Sequence, residues 1–131
     1  MVQQHKFSKH EKLKSKKAID SLFKNGKSIV CQPIRVVYLP KLNNNEMVNC
    51  GFAVPKKFMK LAVNRNLLKR RMREAYRLNN NSIKNTCAKN KKGLNLMFIY
   101  TTEQMLSYKE IEDKIKVLLT RLIEQSEKIG K

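Results

Sequence analysis

The spacing of apolar positions changes along the chain, and each change marks an element. Ile19, Leu22 and Phe23 recur at i, i+3 and i+4, one stripe of a short helix. Ser15 stands where its N-cap belongs. Gly26 reads as its stop, a residue that takes the left-handed conformation cheaply. Residues 34–39 are β-branched and aromatic and read as a strand, broken by Pro40 and by Asn43, Asn44 and Asn45. Val48, Cys50, Phe52 and Val54 then alternate with smaller or polar residues, a second strand antiparallel to the first and ended by Pro55. From about residue 61 to 78 the period returns to that of a helix. Leu67, Leu68, Met72, Ala75 and Leu78 share one half of its wheel, and Arg65, Lys69, Arg70, Arg73 and Arg77 the other. Arg71 falls in the apolar half without a reason that the sequence supplies. Residues 79–93, rich in Asn and Lys, read as a loop. Residues 94–100 are almost wholly apolar, the pattern of a strand central in its sheet. Ser107 and Glu110 form a capping box before Ile111, Ile115, Leu118, Leu122 and Ile123, the stripe of a last helix. The order is α-β-β-α-β-α, an α+β two-layer domain.

A chain of 131 residues fits one domain, preceded by a flexible basic arm over residues 1–14. Its net charge of +19 changes the picture most. Residues 56–77 carry nine basic groups against Glu74 alone, and residues 1–17 a net +5. Charge at this density repels itself unless a polyanion neutralises it, so nucleic acid is the leading partner. No stretch approaches the roughly 20 apolar residues of a membrane span, and the N-terminus lacks the apolar core of a secretory signal. Cys31, Cys50 and Cys87 are odd in number and far apart, without a CxxC pair. A reduced compartment, the cytoplasm, is expected.

The candidate chemistry is binding. His5 and His10 have a spacing that suits no known zinc motif, and no phosphate-binding glycine loop or nucleophile elbow is present. The segment from Val63 to Tyr76 carries the strongest signal. Arginine forks match phosphate oxygens bidentately. Arg65, Lys69 and Arg73, four residues apart, follow one helix edge along a phosphate backbone. Asn64 and Asn66, near the helix start, can cap it and donate to phosphate or base edges. Ile19, Phe23, Val37 and Tyr38 form a second candidate. Beside basic groups they are either a stacking platform for single-stranded nucleic acid or part of the core.

These residues resemble a known family. Ala62, Val63, Asn64, Arg65, Asn66, Leu67, Leu68, Lys69 and Arg70, with Arg73, Glu74, Ala75 and Tyr76, are similar to the signature of the bacterial ribonuclease P protein subunit. Gly51 through Val54 to Lys56 and Lys57 resembles its strand end, and Leu13 with Phe23, Lys24, Asn25 and Gly26 its first helix. The resemblance implies an αβββαβα-type, ribosomal-protein-like sandwich with a left-handed βαβ crossover, and hence a further short strand, either near residues 29–32 or split from the 34–54 region. It implies a protein without catalytic side chains of its own. Such a protein binds the catalytic RNA and the 5′ leader of precursor tRNA while the RNA, with Mg²⁺, hydrolyses the phosphodiester. No membrane and no obligate protein partner are expected. Carried over, Lys56, Lys57, Arg65, Asn66, Lys69, Arg70 and Arg73 would contact RNA, with Asn64 and Arg77 beside them, and Phe23 would line the leader cleft. Leu67 stands where the family has an arginine, with Arg71 as a candidate replacement. Ile19 replaces a family aromatic, and either Val37 or Tyr38 fills the facing strand position. The alternative is a structural RNA-binding protein without a role in cleavage.

Overall fold

The computed structural model describes residues 11–41 and 47–129, the last four without side-chain detail. His5, His10, most of the basic arm and the Asn43 to Asn45 turn lie outside these residues. The elements are α1 (Lys16–Asn25), β1 (Lys27–Cys31), β2 (Ile34–Pro40), β3 (Val48–Ala53), α2 (Ala62–Asn79), α3 (Asn81–Asn90), β4 (Leu94–Tyr100) and α4 (Tyr108–Ile129). The further strand implied by the resemblance is β1. Its alternation was hidden because it is a half-exposed edge.

The four strands lie in the order β1-β2-β4-β3. β4 is central, antiparallel to β2 and parallel to β3. β2 and β3 therefore run in opposite directions, as the alternation suggested, but they do not pair, because β4 lies between them. The part of the arm that is described is docked: Leu13 donates its N–H to the Cys50 carbonyl at 3.1 Å, and Glu11 pairs with Lys84. That covers the outer edge of β3, which would otherwise offer unpaired backbone groups.

Residues 79–93 are not a loop. Within them α3 buries Ile83 and Cys87, four residues apart, against the main core. Two apolar anchors were too few to stand out among Asn and Lys. Lys91 takes the left-handed position that closes α3, with φ 56°. Gly26 does not play that part for α1, since its φ is −75°. Glycine is required there by proximity: a Cβ would sit 2.4 Å from the Leu22 carbonyl oxygen and 3.0 Å from that of Tyr38. The predicted caps hold elsewhere. Ser15 Oγ accepts from the Ala18 N–H at 3.2 Å, and Ser107 and Glu110 exchange two bonds of 3.2 Å.

The pleat sorts the sheet into two faces. Val36, Tyr38, Cys50, Leu96 and Phe98 point toward α2, α3 and α4 and form the main core. Phe52 stacks on Phe98 with ring centroids 5.8 Å apart. Val37, Met97 and Ile99 point the other way and are covered by Leu22 of α1. Because α1 crosses this second face and covers only part of it, sheet surface remains open on either flank. α2 buries Leu68, Met72, Ala75 and Tyr76. Leu78, expected on its apolar face, is exposed, and Tyr76 takes that share of the burial.

Candidate nucleic-acid interface

After β3 the chain turns sharply, with the N–H groups of Phe58 and Met59 both donating to the Pro55 carbonyl. Val54 and Met59 are buried and pin the turn, while Lys56 and Lys57 stay exposed. The Lys57 ammonium sits 5.1 Å from the Phe58 ring centre, a cation–π distance. From the first turn of α2, Arg65 reaches back. Its Nη1 donates to the carbonyls of Met59 at 3.0 Å and Lys60 at 2.7 Å. Arg65 is thus a brace for this turn, whatever else its remaining nitrogens hold.

Neither Asn64 nor Asn66 caps the helix. The N-cap is Leu61, which offers no side-chain hydrogen bond, and the first turn contains no acidic residue. The positive end of the helix dipole therefore lies uncapped beside Lys56, Lys57 and Lys60 and favours an anion. Further along, Asn66, Arg70 and Arg73 are exposed and Lys69 is half-buried. Arg77, grouped with them by the wheel, is held by Glu74 through its Nε, at 3.2 Å, and its Nη2. Hydrogen bonding from Arg77 lowers the Glu74 carboxyl pKa, so the two carry little net charge together. Arg71 is accounted for as well. Its Nη1 donates to the Leu106 carbonyl at 2.6 Å, tying α2 to the loop before α4.

On the second face the four candidates separate. Phe23 is 50% exposed on α1. Ile19 packs partly buried beside Leu22, and Val37 lies beneath them. Tyr38 is on the opposite side of the sheet, in the main core. The pleat decides the choice between Val37 and Tyr38, and Tyr38 cannot reach a ligand over α1. Toward the Arg35–Ile99 end of the strands lies a cleft of about 350 Å³ lined by Val30, Arg35, Lys57, Phe58, Ile99 and Thr101. Arg35 was missed in the sequence. Its Nε is buried without a hydrogen-bond partner among the described residues, which carries a desolvation cost unless something binds there. The signal was present: one arginine in a strand otherwise apolar, two residues from Val37 and so on its face. Among the described residues, no group of three His, Cys, Asp or Glu side chains comes together, and no helix is long and apolar enough to cross a membrane.

Comparison with known proteins bears on the family and the fold. The model of the Ribonuclease P family matches residues 7–123. A ribonuclease P protein component from Porphyromonas gingivalis is 30% identical over 118 residues, covering 88% of this chain and 85% of the relative. Among solved structures, the ribonuclease P protein from Thermotoga maritima superposes with a TM-score of 0.67 at 26% identity, covering 85% of this chain and 96% of that one. The Staphylococcus aureus protein, at 18% identity, shares the fold with a TM-score of 0.70 over 86% of this chain and 94% of its own.

Proposed function

This chain belongs to the ribonuclease P protein family, the protein component of a ribonucleoprotein endoribonuclease, and on that premise we propose how its two surfaces divide the work. The α2 face and the turn before it hold the catalytic RNA. The cleft floored by Arg35, together with Phe23, holds the single-stranded 5′ leader of precursor tRNA. The observation that carries this reading is the continuity of positive charge from Lys56 and Lys57 through Arg65, Lys69 and Arg70 to Arg73, meeting at Lys57 a cleft floored by Arg35. Backbone phosphates would pair with the exposed forks and with the uncapped N–H groups of α2.

In the cleft, Arg35 and Lys57 would take leader phosphates, and Phe23 would offer a face for base stacking with Ile19 as its apolar shoulder. Val37 supports that shoulder from below. Hydrolysis of the phosphodiester would be the work of the RNA and its Mg²⁺. The cations that line both protein surfaces repel a divalent metal, so the ion fits phosphate oxygens of the RNA and not these side chains. What this chain supplies is orientation: it fixes leader and catalytic RNA relative to one another, which reduces the entropic part of the barrier. Free cysteines and an RNA substrate suit the cytoplasm.

The leader role is tested by measuring the affinity of the assembled holoenzyme for precursor tRNA with and without a 5′ leader. The expected result is a leader-dependent gain that Phe23→Ala and Arg35→Gln both reduce. Equal affinity for both substrates, in wild type and variants alike, would remove the cleft from the mechanism.

A further inference from the structure

The flank of α1 away from Phe23 opens onto a second groove, of about 610 Å³, that none of the residues discussed above accounts for. Its walls are the N-terminal half of α1, the docked segment before it, and the ends of the strands at Leu39, Asn49 and Asn95. Four lysines line it, Lys12, Lys14, Lys17 and Lys41, and no carboxylate among the described residues does. Helical spacing separates it from the leader cleft. Lys17 and Ser21 fall on one flank of α1 and Phe23 on the opposite one, with Leu22 between them against the sheet, and Lys14 lines the groove from the docked segment before the helix. Strand register agrees, since Leu39 pairs with Asn95 at the groove and Arg35 with Ile99 at the cleft.

Two further details set this groove apart from an ordinary solvated face. The Lys41 ammonium is partly desolvated, which lowers its pKa, and the partner it has among the described residues is a neutral one, the Asn49 amide oxygen. The nearest acid on the docked segment, Glu11, is already engaged by Lys84. Lys12 and Lys14 also border a smaller hollow of about 200 Å³ whose far wall is Arg73 of α2. The groove is therefore continuous in charge with the α2 face and not with the leader cleft.

The geometry points to a second RNA-backbone site in this groove, formed by Lys12, Lys14, Lys17 and Lys41, that receives phosphates of the catalytic RNA after they leave Arg73. This inference rests on the family reading above. Its effect is to extend the RNA track from α2 around the β3 edge, so that the same RNA grips both sides of the sheet.

The test compares two triple variants of equal charge change. Lys12→Gln, Lys14→Gln and Lys17→Gln removes groove charge. Lys109→Gln, Lys114→Gln and Lys116→Gln removes the same charge from α4. Binding to the catalytic RNA is measured across salt concentrations, with thermal melting to verify folding. Counterion release predicts that the groove variant flattens the slope of log K against log [salt] by about 2, while the α4 variant leaves it nearly unchanged. Dependence of precursor-tRNA affinity on leader length should be unaffected in both. Equal flattening by the two variants would overturn the inference, leaving only general electrostatics. Loss confined to precursor-tRNA affinity would overturn the assignment to the catalytic RNA. A wild-type protein that bound no catalytic RNA would overturn the family reading, and is distinguishable from either result.

Discussion

Arg70 and Arg71 are neighbours in a basic run, and the structure gives them opposite duties. Arg70 is exposed on the face proposed for RNA. Arg71 is half-buried, and its guanidinium donates to the Leu106 carbonyl at 2.6 Å. That carbonyl belongs to a latch, because the Leu106 N–H also donates to the Tyr100 hydroxyl at 3.0 Å. A hydrogen bond from a charged donor contributes about 1.5–3 kcal/mol. Partial exposure of Arg71 argues for the lower end, so Arg71→Gln should cost about 1.5 kcal/mol. For a chain of this size that lowers Tm by about 5–8 °C. Arg70→Gln should change stability by less than about 0.5 kcal/mol and flatten the salt dependence of catalytic-RNA binding by about one phosphate contact, roughly 0.7–0.9 in slope. Thermal melting and a salt titration of RNA affinity, run on both variants, separate the two roles. An Arg71→Gln protein with wild-type Tm and a flattened salt slope would refute the assignment, and so would an Arg70→Gln protein with the reverse behaviour.

The same reasoning gives further expectations. Phe23→Ala should weaken leader-dependent affinity by about 1–3 kcal/mol at little cost in stability, because the ring is 50% exposed; Tyr38→Ala should instead cost about 3–5 kcal/mol of stability in urea melts, as a core truncation. Gly26→Ala gains about 0.4–1 kcal/mol from a stiffer unfolded chain but meets backbone oxygens at 2.4 and 3.0 Å, so urea melts should show net destabilisation of about 1–2 kcal/mol. Glu74→Gln should release Arg77 and steepen the salt dependence of RNA binding. As a depressed carboxyl, Glu74 contributes stability above its unfolded pKa and loses it as pH falls through the folded value; exposure keeps this small, so acid titration of Tm should barely separate Glu74→Gln from wild type. In the native protein Cys31 should react with a thiol reagent ahead of Cys50 and Cys87, since burial raises the Cys50 thiol well above its usual pKa and that of Cys87 to about 11.

What could be read in the sequence was whatever repeats with a period. The α1 and α4 stripes declared themselves because each buries one face against a single layer, and β4 because its apolar run is buried on both faces. The cationic run of α2 was visible from its period as well. Tertiary neighbours decided the rest. β4 inserts between β2 and β3, pairing with residues 46 positions away on β3 and 54 to 66 positions away on β2, which no local pattern records. α3 needs only Ile83 and Cys87 to dock. Arg71 looked anomalous until Leu106, 35 residues away, supplied its partner. Arg77 looked available until Glu74 was seen to hold it. Tyr38 and Val37 are adjacent in sequence and lie on opposite faces of the sheet. A slip of one residue therefore exchanges a core side chain for one beneath α1.

The central claim is that this chain assists an RNA that does the chemistry. The most direct measurement is cleavage of precursor tRNA at low Mg²⁺ by its cognate ribonuclease P RNA, with and without the protein. The account predicts strong stimulation of cleavage at the mature 5′ end, no cleavage by protein alone, and loss of that stimulation when Lys69 and Arg70 are both replaced by glutamine. Unchanged cleavage by the RNA on addition of wild-type protein, with tight salt-sensitive RNA binding retained, would contradict it.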